Sequence, residues 1–475
     1  MDSKIKNELI QMFESHFNEK MTSFEALPSS GSYREYYRIK SNHYAAMGTW
    51  NADVKENMAF LYFSEYFLKQ DIAVPQIYCV NEARDCYLQE DLGSTTLFGY
   101  LSEVREKEGF SDKIVNIYKK VLDELPKIQI IAGQGISYDH CHPRAAFDKQ
   151  SMMWDMNYFK YYFLKLAKVP FNEQDLEDDF ENFTNYLLST DTNYFLFRDF
   201  QSRNIMLCND NVTFIDYQGG REGALQYDIA SLLYDAKADI PIKIRAELLD
   251  YYLDVLDKYI HGLDRDKFKS YFTGYALIRI MQAMGAYGFR GFYEKKEHFL
   301  KSIPYALENM KYLLKNCDIP EKFPELFKVL EAVTKSEYLQ KIGQPHNMLT
   351  VRVTSFSFRK GLPEDPSGNG GGFIFDCRSI HNPGRYDEYK LLTGRDKPVI
   401  DFFNKEAEMD EFLGHAFALV EKSVDTYLKR GFNSLSVNFG CTGGQHRSVF
   451  AAESMASFLS KLPVNVILQH REIIY

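Results

Sequence analysis

Phe197-Arg198-Asp199-Phe200-Gln201-Ser202-Arg203-Asn204 is followed, twelve residues after Asn204, by Asp216 at the end of the apolar run Val212-Thr213-Phe214-Ile215. A carboxylate on a loop, an amide five residues later and a second carboxylate ending a strand are the groups that orient a hydroxyl and hold Mg²⁺ against the phosphates of ATP. Phosphoryl transfer asks a protein for positioning and charge neutralisation rather than for covalent chemistry. Asp199 is then expected to accept a hydrogen bond from the attacking hydroxyl, Asn204 and Asp216 to offer hard oxygen ligands to the metal, and Arg203 to contact phosphate or substrate. Each residue alone reads more readily as a turn cap or strand end. Their joint spacing, set between a strand and an apolar run, shifts the balance to chemistry.

With Phe214-Ile215-Asp216-Tyr217-Gln218 and Tyr227-Asp228-Ile229-Ala230-Ser231-Leu232-Leu233 added, residues 1 to about 335 resemble the aminoglycoside phosphotransferase-like superfamily, in particular its AmgK-type branch of anomeric amino-sugar kinases. The resemblance implies an α+β, protein-kinase-like fold of two lobes, 1–92 and 93–335. It also implies ATP and Mg²⁺ as cofactors, and N-acetylmuramate or N-acetylglucosamine as the amino-sugar acceptor. Ser30, Gly31, Ser32 and Arg34 fall in a segment similar to that family's nucleotide loop, where small residues let backbone N–H groups approach phosphate. Gln89, Glu90 and Leu92 fall in a segment similar to the hinge whose backbone pairs with adenine. Two positions depart from the usual kinase pattern: Phe197 stands where His precedes the Arg-Asp pair, and Met47 stands where many kinases place a phosphate-binding Lys. The anomeric sugar kinases also lack that Lys.

A second segment, Ser436-Val437-Asn438-Phe439-Gly440-Cys441-Thr442-Gly443-Gly444-Gln445-His446-Arg447-Ser448, reads as an alternating strand, a Gly-rich loop and the start of a helix. Successive N–H groups, an open helix N-terminus and the Arg447 side chain are expected to build one cradle of phosphate size. The Cys441 to Arg447 spacing also matches the Cys-x5-Arg loop of cysteine phosphatases, in which a thiolate attacks phosphorus. Ser355 to Pro363, Phe375 to Pro383, Thr393 to Val399 and Gly440 to Ser448 together resemble the C-terminal domain of the RNase adapter RapZ. The likeness covers about 348–475 and implies a three-layer α/β fold that binds glucosamine-6-phosphate, an amino-sugar phosphate effector. Carried across, Cys441, Thr442, Gly443, Gly444, His446, Arg447 and Ser448 hold the sugar phosphate, with Asp376, His381, Asn382 and Arg395 around the sugar. RNA is a further partner in that family. Here the basic tail of the RNA-binding relatives is missing, and residues 347–475 carry 15 Lys and Arg against 15 Asp and Glu, a balance that offers a phosphate backbone no basic patch.

The formal net charge of −10 therefore lies wholly in the N-terminal part. The chain has 475 residues, 45% of them apolar, enough for two cores, and no run approaches the ~18 apolar residues of a membrane span. The charged opening Met1 to Ile10 lacks an apolar signal core, and seven scattered Cys fit a reducing cytoplasm. His140-Cys141-His142 followed by Pro143 reads as a loop rather than a zinc site. Apolar periodicity predicts helices over 53–69, 112–130, 151–167, 173–188, 243–258, 265–289 and 296–315, with strands within 36–50 and 76–90. The resemblance places Arg279 of the long helix toward the sugar, whereas helical spacing alone reads it as an exposed arginine. Pro320, Pro324 and Pro345 place a linker at 336–347, between domains 1–335 and 348–475. The expectation is a cytoplasmic amino-sugar 1-kinase fused to an amino-sugar-phosphate sensor, its oligomeric state open. The alternatives are an adapter with a degenerate kinase part and a kinase for another hydroxylated small molecule.

Overall fold

The computed structural model describes residues 3–28, 34–208, 211–317, 319, 322–342, 349–363, 372–430 and 432–473. Contacts divide the chain into two units, Met1–Gly288 with Ser302–Gln340, and Phe289–Lys301 with Lys341–Tyr475.

The first unit opens with helix α1 (Ser3–Phe17), then an antiparallel sheet in the order β1-β2-β3-β5-β4. Its strands are β1 (Ser23–Ala26), β2 (Glu35–Lys40), β3 (Ala45–Trp50), β4 (Ile77–Val80) and β5 (Cys86–Glu90). Side chains alternate across a strand, so each strand gives one set to each face. Tyr37, Ile39, Ala46, Cys86 and Leu88 form one core with Leu9 and Phe13 of α1. Gly48 lets the helix come close, since a Cβ there would lie 3.1 Å from Ile39 and 3.3 Å from Leu9. By the same alternation Tyr36, Arg38, Met47, Thr49, Tyr87 and Gln89 belong to the opposite face. Helix α2 (Val54–Lys69) meets that face through Phe60, whose ring stacks on Tyr87 at 5.4 Å. Its start is fixed by Asp53, whose carboxylate accepts the N–H groups of Lys55 and Glu56.

The rest of this unit is helical: α3 (Leu97–Glu108), α4 (Asp112–Pro126), α5 (Lys149–Phe159), α6 (Glu173–Leu187), α7 (Leu225–Leu233), α8 (Ile242–Leu256) and α9 (Arg265–Gly288). Helix α10 (Glu297–Leu300) belongs to the second unit, and α11 (Ile303–Lys315), α12 (Pro324–Lys335) and α13 (Glu337–Lys341) follow. The expected linker therefore contains a short helix. Two ribbons interrupt the helices, β6 (Tyr194–Leu196) with β9 (Arg221–Gly223) and β7 (Ile205–Cys208) with β8 (Asn211–Phe214). They present the loops 197–204 and 215–220 side by side. A sheet lobe followed by a helical lobe with these ribbons is the kinase-like α+β fold. Among the described residues no helix is long and apolar enough to cross a membrane.

The second unit carries a parallel sheet, β11-β12-β10-β13, made of β10 (Leu349–Ser357), β11 (Phe373–Asp376), β12 (Ser434–Cys441) and β13 (Val464–His470). Parallel strands need crossovers. Helices α14 (Lys397–Phe403) and α15 (Ala407–Lys429) lie between β11 and β12, and α16 (Arg447–Leu459) between β12 and β13. Val351, Val353, Val437 and Phe439 share one core with Leu413 and Val420 of α15 and Met455 and Leu459 of α16. Strand β10 is entered first and lies between β12 and β13, so the chain leaves it to both sides. In such α/β sheets the crevice at the carboxyl ends of the strands is the binding position. Ser357 and Cys441, paired at the ends of β10 and β12, mark it.

Candidate active site and anion cradle

The loop after β6 is held from below by one carboxylate. Asp228 on α7 accepts the backbone N–H of Phe197 at 2.8 Å and that of Arg198 at 3.0 Å, one on each oxygen. Gln129 Nε2 adds a third donor at 3.2 Å and is itself fixed by the Tyr252 hydroxyl at 2.5 Å. Burial pushes the Asp228 pKa up to about 7, while the three N–H groups pull the other way. Arg198 has φ of +84°, a conformation that costs a non-glycine residue about 1–3 kcal/mol. Its side chain is clamped by Asp155 at 2.6 Å and the Tyr227 hydroxyl at 2.7 Å, over the Phe147 ring at 4.8 Å. Phe197 is buried edge-on against Phe200 at 5.2 Å and Tyr217 at 6.0 Å. Packing here does the work that a hydrogen-bonding His would do.

The polar groups above the loop converge. Asn204 Nδ2 donates to the Asp199 carbonyl at 2.9 Å and to Asp216 Oδ2 at 3.1 Å, and Gln218 Nε2 donates to Asp216 Oδ1 at 2.7 Å. Asp216, like Arg198, has a positive φ, +69°. Burial and the nearby Asp199 charge raise the Asp216 pKa. Asp216 with the Asn204 amide beside it offers hard oxygen donors that suit a divalent cation completed by phosphate oxygens. Among the described residues no group of three His, Cys, Asp or Glu forms a metal cluster, at His140-Cys141-His142 or elsewhere. His140 instead stacks on Tyr62 at 4.0 Å. Asp199 remains half-exposed, and Arg203 is exposed beside it in sequence order.

Arg279 corrects the expectation of an exposed helical side chain. It is buried on α9, donates to Ser231 at 2.9 Å and Gln282 at 2.6 Å, and brings its guanidinium 3.9 Å from Asp199. Helical spacing gave no sign of this, because α9 is enclosed on nearly all sides.

On the sheet side, Ser30, Gly31 and Ser32 lie outside the described residues. Arg34 is buried and ion-paired with Glu56 of α2 at 3.2 Å. In the expected hinge segment the Glu90 N–H is taken by the Gln76 carbonyl at 2.9 Å, and the Gln89 side chain turns inward to Thr49 at 3.5 Å. Leu92 offers a carbonyl that accepts the Cys208 thiol at 3.3 Å. What braces this hinge is Arg38, which reaches Asp91 at 2.8 and 3.0 Å and the Gly93 carbonyl at 2.8 Å.

In the second unit the loop between β12 and α16 brings together Cys441, Thr442, Gly443, Gly444, His446, Arg447 and Ser448. The Cys441 sulfur accepts the Gly444 N–H at 3.1 Å and lies 3.2 Å from the Ser448 hydroxyl. The Thr442 carbonyl accepts from Ser357 at 2.7 Å. Arg447 Nη1 donates to the carbonyls of Arg378 at 3.0 Å and Ile380 at 2.9 Å, while its buried Nε has no partner among the described residues. His446 is oriented by the Tyr389 carbonyl at 2.8 Å. The segments 382–384 and 393–395 press on the loop. A Cβ on Gly384 would meet the His446 ring at 3.2 Å, and the Gly394 N–H donates to the Gln445 carbonyl at 2.9 Å. The four outer side chains are engaged with neighbours: Asp376 with Arg378 at 2.6 Å, His381 with Glu406 at 3.1 Å, Asn382 with the Gly384 N–H at 3.2 Å, and Arg395 with Glu453 at 2.9 Å.

Residues 34–264 match the phosphotransferase enzyme family, and residues 349–474 match the RapZ C-terminal domain. The chain joins a phosphotransferase-family domain to a RapZ C-terminal domain. A nucleotide-binding protein of Thermotoga neapolitana is 38% identical over 125 residues, 26% of this chain and 43% of its own length. Another, from Methylococcus capsulatus, is 33% identical over 135 residues, 28% and 44% of the two chains. The chain thus spans less than half the length of these curated relatives. Among solved structures, the ADP-bound aminoglycoside phosphotransferase APH(2'')-Ib is similar at 13% identity and a TM-score of 0.43, covering 72% of this chain and 99% of that one. A choline kinase from Cryptosporidium parvum is similar at 10% identity and a TM-score of 0.45, covering 70% and 100%.

In the phosphotransferase domain, the support from Asp228 went unassigned in sequence terms although its motif was visible. Replacing it by Asn keeps the shape but turns an NH₂ toward one of the two backbone N–H groups. Asp228→Asn is therefore expected to lower stability by about 1–3 kcal/mol, read as a fall in the denaturation midpoint. A midpoint equal to that of the wild type would show that the loop is held by other contacts.

Proposed function

We propose that the phosphotransferase domain is an ATP- and Mg²⁺-dependent kinase acting on the anomeric hydroxyl of a cell-wall amino sugar, N-acetylmuramate or N-acetylglucosamine, in the cytoplasm. The observation that carries this is the convergence of Asp199, Asn204 and Asp216 on loops held in strained conformations by Asp228 and Gln218. A retired scaffold has no physical reason to keep such costly polar groups together. Asp199 orients the acceptor hydroxyl and takes up its proton as transfer proceeds. Asn204 and Asp216 hold Mg²⁺, which, when bound, neutralises charge on the transferring phosphoryl group. Arg279, 3.9 Å from Asp199, sets a positive charge on the acceptor side. That charge favours a neutral or acidic sugar and disfavours a cationic acceptor such as an aminoglycoside or choline.

For the RapZ C-terminal domain we propose that the 441–448 loop binds an amino-sugar phosphate, glucosamine-6-phosphate, as an effector. Its support is the row of loop N–H groups at the start of α16 together with the unsatisfied Nε of buried Arg447. RNA has the weaker support of a neutral charge balance.

Phosphorus NMR of the full-length protein with Mg-ATP and a panel of N-acetylmuramate, N-acetylglucosamine and glucosamine tests the kinase. A sugar 1-phosphate resonance is expected with the wild type and none with Asp199→Asn, which should still bind ATP. Full activity in that variant would remove Asp199 from its role. Proton and Mg²⁺ compete for Asp216, whose pKa is raised. The Mg²⁺ concentration giving half-maximal rate should therefore climb as the pH is lowered, and begin to do so above the ordinary carboxylate range of about 4. A requirement independent of pH would argue against Asp216 as ligand. For the effector site, Gly444 has φ of +71°, and a Cβ there would come within 2.9 Å of the Ser357 nitrogen and 2.3 Å of Glu472. Around Gly443 the space is open. Calorimetric titration with glucosamine-6-phosphate should show Gly444→Ala losing affinity at least about tenfold and Gly443→Ala nearly unchanged. Equal behaviour of the two would place the phosphate elsewhere.

A further inference from the structure

The strand β3 position that commonly carries a phosphate-binding Lys is Met47, an apolar side chain. A kinase-type site without that cation leaves the charge of the nucleotide's outer phosphates uncompensated on the sheet side, since the usual pair is a β3 Lys with a Glu of the following helix. The Glu is present here. Glu56 sits in the first turn of α2, and its carboxylate is fixed by Asn51 Nδ2 at 2.7 Å. Its cationic partner is Arg34, one residue before β2, at 3.2 Å.

Several observations place the Arg34 guanidinium where the missing Lys would work. It lies 5.5 Å over the ring of Phe60, and Phe60 stacks at 5.0 Å on Tyr217, the residue directly after Asp216. The Tyr217 hydroxyl is tied back to Ser64 of α2 at 2.6 Å, so helix, ring stack and metal-side loop are one block. By strand alternation Arg34 shares the face of Tyr36, Arg38 and, across the β2–β3 pairing, Met47. Arg38 is committed to Asp91 and the Gly93 carbonyl and has no reach to spare. The Arg34 side chain is only 1% exposed, whereas a merely solubilising arginine would extend into water. Enclosing a guanidinium costs several kcal/mol, so its place beside Glu56 and Phe60 is a built feature of the lobe and not an incidental one.

We propose that Arg34, held by Glu56, supplies the phosphate-facing cation that position 47 lacks. This rests on the kinase reading above and gives the sheet lobe a phosphate contact built from β2 rather than β3. A guanidinium presents a planar fork to phosphate oxygens and stays charged at every working pH. Glu56 presets its orientation, and the Phe60 ring limits its rotation. Met47 then fills apolar space in the cleft that the longer Arg34 has made redundant as a charge position.

Calorimetric titration of the full-length protein with Mg-ATP and, separately, AMP tests this, because AMP lacks the outer phosphates. Arg34→Met is expected to weaken Mg-ATP binding about ten- to a hundredfold and to leave AMP binding within about twofold. Placing the cation back on β3, in the double variant Arg34→Met/Met47→Lys, is expected to recover at least about tenfold of the Mg-ATP affinity. Arg34→Lys, which keeps the charge and the Glu56 pairing, covers the case in which Arg34→Met does not fold, and should retain more Mg-ATP affinity than AMP-calibrated loss of structure would allow. Unchanged Mg-ATP binding in Arg34→Met, or an equal loss for ATP and AMP, would overturn the proposal while leaving the kinase reading standing. A wild type that binds neither nucleotide would overturn the kinase reading and this proposal with it.

Discussion

Everything in the phosphotransferase site hangs on the Asp228 carboxylate and the two backbone N–H groups of Phe197 and Arg198 that it accepts. Those bonds fix the peptide planes at the point where the chain leaves β6, and Asp199 follows directly. Arg198 has φ of +84°, a conformation that a free chain would abandon. Each charge-assisted bond is worth about 1.5–3 kcal/mol, which is enough to offset a strained φ of about 1–3 kcal/mol. Asp216 has φ of +69°, and there it is the side-chain carboxylate that is held, by Gln218 and Asn204. Strain thus sits beside Asp199 in one loop and at Asp216 itself in the other.

The aromatic residues set the stiffness of this frame. Tyr87, Phe60 and Tyr217 stack in sequence, Phe197, Phe200 and Phe214 pack on one another at 5.2 to 6.4 Å, and Phe197 joins the two groups edge-on to Tyr217 at 6.0 Å. A family pattern with His at position 197 relies on a directional hydrogen bond there. Phe197 replaces that with burial, and the loop's directional bonds come from Asp228 and from the Arg198 clamp on Asp155 and Tyr227, with Asn204 and Ser202 further along. That explains why so many groups converge on two peptide bonds.

The catalytic spacing and both domains were readable in the chain because they depend on near neighbours: Asp199 to Asn204 is five residues, and the cradle is one strand, one loop and one helix. Long-range partnerships were not. Arg279 lies 80 residues from Asp199, and on a helix buried on nearly every side no polar stripe gives it away. Helix ends were blurred for a related reason. The periodicity over 112–130 and 151–167 reads as continuous helix, whereas the chain opens into wider turns at Lys127–Ala132 and Lys160–Leu164. There close packing takes over: a Cβ on Gly288 would fall 2.0 Å from the Tyr162 carbonyl oxygen, so backbone meets backbone. A wide turn relieves such a contact and leaves no mark on hydrophobic period. Nor does the sequence show that Glu90 lies on a strand paired on both sides, with its N–H given to the Gln76 carbonyl.

The cradle of the RapZ C-terminal domain poses a choice between holding a phosphate and cleaving one, because its Cys-x5-Arg spacing fits both. Hydrolysis needs a sulfur open to phosphorus in line with the leaving group, and an arginine free to follow the transferring oxygens. Cys441 is 3% exposed and Arg447 6%. The sulfur lies between the Gly444 N–H and the Ser448 hydroxyl, as a packing element under the loop. Arg447 spends Nη1 on the carbonyls of Arg378 and Ile380, which ties the end of β11 to the start of α16. Both residues therefore stabilise the loop's shape, while the buried Arg447 Nε has no acceptor among the described residues. A loop so braced holds charge in a fixed geometry. It lacks the freedom to follow a phosphorus centre through inversion, so binding, and not hydrolysis, is what its construction favours.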